Sequence, residues 1–276
     1  MELYDKIQEC VSYIQSKVTT QPKIGIILGS GLSNLAKEIE VSHTLSYNDL
    51  PHFSQSTVKG HGGSLVFGKI NGKEVVCMSG RFHYYEGHSI EAVTFPVRVM
   101  KFLGVSHLLV SNASGGMKVG MEVGDLMIIT DHINLQPEHP LRGKNDERLG
   151  PRFPGMLDTY DKEMIQIGLN IAKRIDARCH TGVYVGVQGP TFETPSEYQY
   201  FARIGGDAVG MSTVPEVIVA RHGGMKVFAI SVVSDIGYPF ETMDEKISHD
   251  IVLAKASAAE PVMTAIIKDL IKEVNV

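Results

Sequence analysis

Tryptophan is absent from the 276 residues, and cysteine occurs three times, at Cys10, Cys77 and Cys179. Three widely spaced cysteines make no disulfide framework and read as buried free thiols of a reducing compartment. No cluster of lysine and arginine occurs and the formal net charge is −5, which argues against nucleic acid as a partner. An anionic ligand would need local donors, because the overall field does not attract it. No apolar run approaches the ~18 residues of a membrane span. The first six residues, Met1 to Lys6, have neither the basic flank nor the apolar core of a secretory leader. A cytoplasmic protein without membrane contact is expected. A linker, a charge block, a low-complexity tract and an internal repeat are also missing. Residues 1–276 therefore read as one domain, long enough to bury a sizeable core.

What is present is an alternation of apolar periodicities. Leu3, Ile7, Cys10, Val11, Ile14 and Val18 recur at helical spacing, and Pro22 follows. Lys23–Leu28 is a short strand, apolar on both faces as a buried parallel strand is. It runs into Gly29-Ser30-Gly31 and an expected helix, a junction whose N–H groups suit a phosphate. A dinucleotide fingerprint does not fit: Asn34 occupies the third glycine position, and no strand-terminal acid lies about 20 residues on.

Ser64–Ile70 and Lys73–Ser79 are two strands joined at Asn71-Gly72, a type I′ hairpin signal. The second leads into Gly80-Arg81-Phe82-His83-Tyr84-Tyr85-Glu86-Gly87-His88, too rich in polar and aromatic side chains for a simple connector. Ser89 caps a helix in which Pro96 is expected to mark a kink or the true start. His107–Ser111 is a strand ending in a glycine-rich turn, Asn112 to Gly116. Asp125–Thr130 is the next strand. Residues 134–159 show no periodicity and carry four prolines, which points to a functional or partner-covered loop. Asp161–Lys173 reads as helix, Thr181–Gln188 and Lys226–Val233 as strands, and Asp244–Lys272 as a helix broken at Pro261, with His249 near its start.

The stretch from Val187 to His222 repeats one device. Thr194-Pro195-Ser196-Glu197 is a capping box with proline at the first helical position, and Gly205-Gly206 closes that helix. Thr213-Val214-Pro215-Glu216 does the same ahead of Gly223-Gly224. Each cap fixes the loop before it, Phe192-Glu193 in one case and Met211-Ser212 in the other. An aromatic face and a carboxylate beside a thioether and a hydroxyl suit a flat heterocycle attached to something apolar and polyhydroxylated. Two ordinary capped helices with a stray glutamate fit the spacing equally well.

These patterns predict an α/β fold: a single domain with a central mixed β-sheet flanked by helices. Ser30, Arg81, His83, Ala113, Glu193, Ser212 and Asp235 all follow strands or open helices and are expected to converge at one sheet edge.

The same residues carry a family resemblance. Gly29–Leu32, Gly60-His61 through Gly68, Gly80–Gly87, Thr94–Val99, Asn112–Gly116, Val123–Asn134, Pro190–Thr194 and Asp207–Val217 resemble the trimeric purine nucleoside phosphorylases over nearly the whole chain. The resemblance implies attack of inorganic phosphate on C1′ of a purine (deoxy)ribonucleoside, giving free base and (deoxy)ribose 1-phosphate. It places Ser30, Arg81, His83, the Ala113 N–H and Ser212 on phosphate, with His61 over the entrance. Tyr85, Met211 and His249 would line the sugar. Phe153 would cap a neighbouring subunit's site in a homotrimer. Glu193 would accept from purine N1–H, Phe192 would pack on the ring, and Asp235 would face N7 and the 6-substituent. His83, Glu193 and Asp235 are the expected catalytic residues, with phosphate as co-substrate and no cofactor or metal.

One position departs from that family. Its 6-oxopurine enzymes carry asparagine where this chain has Asp235; either an ionised Asp235 meets a 6-amino group or a protonated one donates to N7 as general acid, and acceptance of adenosine beside inosine and guanosine is expected. A nucleoside hydrolase, a non-catalytic nucleoside-binding protein and a phosphorylase preferring adenosine or methylthioadenosine are the competing readings. A hydrolase would use water and often a metal, and this chain has no Asp-rich cluster.

Overall fold

The computed structural model describes residues 1–54, 63–237 and 248–276. Among the described residues nine strands form one mixed sheet: β1 (Ile24–Ile27), β2 (Glu40–Ser46), β3 (Ser64–Ile70), β4 (Lys73–Ser79), β5 (His107–Gly116), β6 (Leu126–Asn134), β7 (Cys179–Gly186), β8 (Ala208–Gly210) and β9 (Lys226–Ile236). Their order is β2-β3-β4-β1-β5-β8-β7-β6-β9, and β9 also pairs with β5. That extra ladder closes five strands on themselves while β1 to β4 extend as a wing. Pairs β1–β4, β1–β5, β5–β9, β6–β7 and β7–β8 are parallel. The β2–β3, β3–β4, β5–β8 and β6–β9 pairs are antiparallel. The β3–β4 turn has Asn71 at φ 50° and Gly72 at φ 77°, as a type I′ turn requires.

The helices are α1 (Leu3–Lys17), α2 (Ile90–Phe102), α3 (Lys162–Arg174), α4 (Pro195–Arg203), α5 (Val214–His222) and α6 (His249–Glu273). Ile7, Cys10, Val11 and Ile14 form the buried stripe of α1, the set its spacing predicts. They join side chains of α2 and α5 in one core cluster. A second cluster lies under α3 and α6. Burying apolar side chains on both faces of the sheet is the main stabilising term.

Several expectations change. The helix expected after Gly31 is a short 3-10 turn, Asn34–Glu38. The Asn34 backbone N–H and side-chain amide both donate to Glu260 of α6, so that helix start is already occupied by a protein carboxylate. The expected turn at residues 112–116 is instead the continuation of β5, with a register shift against β9 at Ser114/Gly115. Strand β2 and the three-residue β8 were not foreseen. Helix α2 begins at Ile90, where the Ser89 hydroxyl accepts from Ala92 N–H, so Pro96 lies inside it and does not mark its start. Helix α6 runs unbroken through Pro261. Pro261 is exposed, so the carbonyl it leaves without an N–H partner can be met by water. The expected start of this helix at Asp244 lies outside the described residues.

Candidate active site

The cavity arises where β5, paired with β9 along its length, runs on without a neighbour on its other side. Its ladder with β1 ends at Val110, and its ladder with β8 begins only at Gly115. At the end of β1 the chain must pass close to β5. The Gly29 N–H donates to Ser111 Oγ at 3.1 Å, and a Cβ at Gly29 would meet Asn112 Cα at 2.7 Å. Only glycine fits there. The resulting pocket has a volume of about 350 Å3, within the range of small-molecule sites.

One end of the pocket is cationic. Arg81 follows β4, and its side chain is only 2% exposed. Its Nη1 donates to Ser212 Oγ at 2.8 Å, and its Nε lies 3.4 Å from Glu216 Oε1. Among the described residues its Nη2 has no hydrogen-bond partner. A buried, unpartnered N–H of a guanidinium lining a pocket is a place for an anionic oxygen. Ser30, Ala113 and His83 line the same pocket.

His83 is held from two sides. Its ring stacks on Tyr85 with centroids 4.8 Å apart, and its Nδ1 lies 3.0 Å from Glu86 Oε1. The His83 backbone N–H also donates to Glu86, at 2.9 Å. Burial lowers the imidazole pKa, and the Glu86 hydrogen bond opposes that shift. A carboxylate at Nδ1 selects the tautomer protonated there, leaving Nε2 as an acceptor.

The other end carries the acids. Glu193 precedes the α4 cap, where the Thr194 and Glu197 backbone and side chains exchange hydrogen bonds at 2.7 and 3.2 Å. Burial pushes Glu193 up to about 7, with the charges of Asp235 and Glu197 adding to it. Asp235, on β9, is 6% exposed and accepts from Tyr198 Oη at 2.7 Å and from Ser234 Oγ at 2.8 Å. Phe192, Met211 and His249 complete the lining, His249 from the first turn of α6.

The chain thus brings Ser30, Arg81, His83, Tyr85, Ala113, Phe192, Glu193, Met211, Ser212, Asp235 and His249 around one cavity. Phe153 is not there. It is 87% exposed, beside Arg152 and away from the pocket. His61 lies outside the described residues. Sequence reading missed the supports. Glu86 was foreseeable from its position three residues after His83. Asn112, Thr213 and Glu216 form a buried network beneath Arg81: Asn112 Nδ2 donates to Thr213 Oγ1 at 2.8 Å, and Thr213 N–H donates to Glu216 Oε2 at 3.1 Å. Among the described residues no group of three or more His, Cys, Asp or Glu is placed to hold a metal ion.

Comparison with known proteins agrees with this geometry. The Phosphorylase superfamily profile matches residues 23–272. Purine nucleoside phosphorylase 1 of Geobacillus stearothermophilus is 48% identical over 266 residues, 96% of either chain. The purine nucleoside phosphorylase of Rattus norvegicus is 47% identical over 261 residues, 93% of this chain and 90% of that one. Among solved structures, a Schistosoma purine nucleoside phosphorylase in complex with hypoxanthine matches with a TM-score of 0.94 at 39% identity, covering 99% of this chain and 98% of that one. The Schistosoma mansoni protein in complex with adenosine matches with a TM-score of 0.93 at 40% identity, over the same shares. The chain belongs to the Phosphorylase superfamily, among its purine nucleoside phosphorylases.

Proposed function

We propose that this protein cleaves purine ribo- and 2′-deoxyribonucleosides by reversible phosphorolysis, releasing free base and (deoxy)ribose 1-phosphate. The observation that carries the reading is the polarity of a single cavity. An anion place at Arg81 and a hydrogen-bonding carboxylate end at Glu193 and Asp235 face one space of about 350 Å3.

Phosphate would be held by Arg81, Ser30, Ser212 and the Ala113 N–H. His83 Nε2 would take the P–OH proton and leave a dianion facing C1′. As the glycosidic bond breaks, its electron pair leaves with the purine, which takes a proton from solvent to become the free base, and positive charge grows on the sugar. The phosphate dianion stabilises that charge and then forms the new bond. Met211, Tyr85 and His249 would surround the sugar in a largely apolar setting, which strengthens these effects. Phe192 would pack on the base, Glu193 would bond N1, and Asp235 would face N7 and the 6-substituent. No cofactor or metal enters this scheme. His61, by resemblance, would cover the phosphate. Inosine and guanosine are the expected substrates, with adenosine accepted because Asp235 stands where related enzymes carry asparagine.

The working form would be a homotrimer in which Phe153 reaches the adjacent site. Three free cysteines, two of them pushed up to about 12 by burial, support a reducing, cytoplasmic setting.

The test is base release from inosine, guanosine and adenosine with and without phosphate. Phosphate-dependent release, with the sugar recovered as its 1-phosphate, is expected. Release at a comparable rate without phosphate would mean a hydrolase, and binding without turnover a carrier.

A further inference from the structure

Tyr198 of α4 is fully buried, and two glycines define its place. A Cβ at Gly115 would meet its hydroxyl oxygen at 2.1 Å, and one at Gly237 would meet its ring at 2.2 Å. Held there, the hydroxyl donates to Asp235 Oδ2 at 2.7 Å, while Ser234 donates to Oδ1 at 2.8 Å. Each Asp235 oxygen therefore already receives one proton donor. The lone pairs that remain on the carboxylate are acceptors only.

The consequence for a purine follows from its edge. A 6-amino group offers Asp235 a donor, and N1 of the same ring is an acceptor that needs a protonated Glu193. A 6-oxopurine instead presents the O6 acceptor to Asp235, and an N1–H that needs an ionised Glu193; N7 is an acceptor in both classes.

We propose that Tyr198 is a specificity-determining positioning residue: by fixing Asp235 as an acceptor it turns this site toward 6-aminopurine nucleosides. This inference rests on the phosphorolysis reading. Among the described residues, the titratable groups that interact with Glu193 are Glu197 and Tyr198 of α4, Asp235 of β9 and Tyr184 of β7. None of them is a cation, and Glu193 is pushed up to about 7 chiefly by burial. Below that value Glu193 carries its proton and matches adenosine; above it Glu193 is ionised and matches inosine.

The experiment measures phosphate-dependent kcat/KM for adenosine and inosine from about pH 6 to about pH 8. It uses the wild type, Tyr198→Phe, Ser234→Ala, Asp235→Asn and the Tyr198→Phe/Asp235→Asn pair. In the wild type the adenosine-to-inosine ratio is expected to fall as pH rises. Tyr198→Phe is isosteric apart from its hydroxyl. It removes a hydrogen bond to a charged group and should lower the ratio roughly 10-fold or more. Ser234→Ala should move it in the same direction and carries the test alone if Tyr198→Phe does not fold. In the Asp235→Asn background the Tyr198→Phe effect should vanish, because the group it positions is no longer a carboxylate. A ratio that Tyr198→Phe leaves within about twofold, or moves equally in both backgrounds, overturns the proposal. Phosphate-independent base release by the wild type would instead overturn the phosphorolysis reading, and the variant ratios would still report on Tyr198.

Discussion

Arg81 is the residue on which the chemistry of the cavity turns, and its surroundings show why a guanidinium is needed. A buried cation is costly unless its donors are used. Here Nη1 donates to Ser212 and Nε lies 3.4 Å from Glu216 Oε1, while Nη2 has no hydrogen-bond partner among the described residues. A lysine could serve one of these directions but not all of them. Arg81→Ala should raise the phosphate KM and lower turnover by about 10- to 150-fold, the worth of a charge-assisted hydrogen bond. It should also lower stability, since Glu216 is left as a buried carboxylate without its cation, and breaking such a pair costs about 3–5 kcal/mol. Adding Glu216→Gln should restore much of the stability and none of the phosphate affinity. Phosphate titrations and thermal unfolding of the two variants separate these effects. Unchanged phosphate kinetics in a folded Arg81→Ala protein would remove Arg81 from the site.

At the scale of elements, the junction into α5 shows how loop geometry is enforced. Thr213 has φ 73° and ψ −56°, and Val214 N–H donates to Ser212 C=O at 2.8 Å, so Thr213 is the centre of a positive-φ γ-turn. This conformation is strained for a β-branched residue, at about 1–3 kcal/mol. It persists because Asn112, Glu216 and Arg81 all bind Thr213 in its buried position. The turn in turn presents Ser212 to the cavity. Thr213→Gly and Thr213→Ala lose the same hydroxyl, so comparing them isolates the backbone. Glycine should be the more stable by about 1 kcal/mol, the reverse of their usual order in regular structure. Denaturant unfolding checks it, and an alanine variant at least as stable as the glycine one would refute the strain. The sequence disclosed the α5 cap at Thr213-x-x-Glu216 but not its dihedral angles, because threonine is an ordinary capping residue and nothing local marks φ as positive. Elements with local signals were legible: the α1 stripe, the Asn71-Gly72 hairpin, and the caps at Ser89 and Thr194. Strand β8 was not, since three residues show no periodicity and its partners lie far away in sequence. Site residues at strand ends and caps were legible for the same local reason. The Tyr198–Asp235 pair was not, because it exists only once α4 packs over the end of β9.

For the whole molecule, the long connection between β6 and α3 argues for a partner copy. It is tied down by its own bonds: Leu149 N–H to Asp146 C=O at 2.9 Å, Asn145 Nδ2 to Gly150 C=O at 3.2 Å, and Arg152 Nη1 to Leu141 C=O at 3.0 Å. An internally bonded loop that buries Leu149 yet leaves Phe153 87% and Leu157 95% exposed presents apolar side chains without covering them. Exposed apolar groups on an ordered segment suit an interface. The proposed cyclic trimer gives them a destination, with Phe153 at the edge of the next subunit's pocket. Sedimentation equilibrium should therefore return three times the chain mass. Phe153→Ala should raise the nucleoside KM while leaving the phosphate KM nearly unchanged, because the ring would lie on the nucleoside side of the site. Removing a buried phenylalanine costs about 3–5 kcal/mol in a core, but this ring would be covered only in part, so roughly a 10-fold rise in KM is the expected size. Mixed trimers of Arg81→Ala subunits with Phe153→Ala subunits make the assignment decisive. If the ring serves the neighbour, combining Phe153→Ala subunits with phosphate-impaired Arg81→Ala subunits should restore low-KM sites, each formed by one Phe153→Ala chain and a Phe153 from the other. An active monomer, or a mixture that behaves as the sum of its parts, would show that Phe153 does not act across subunits.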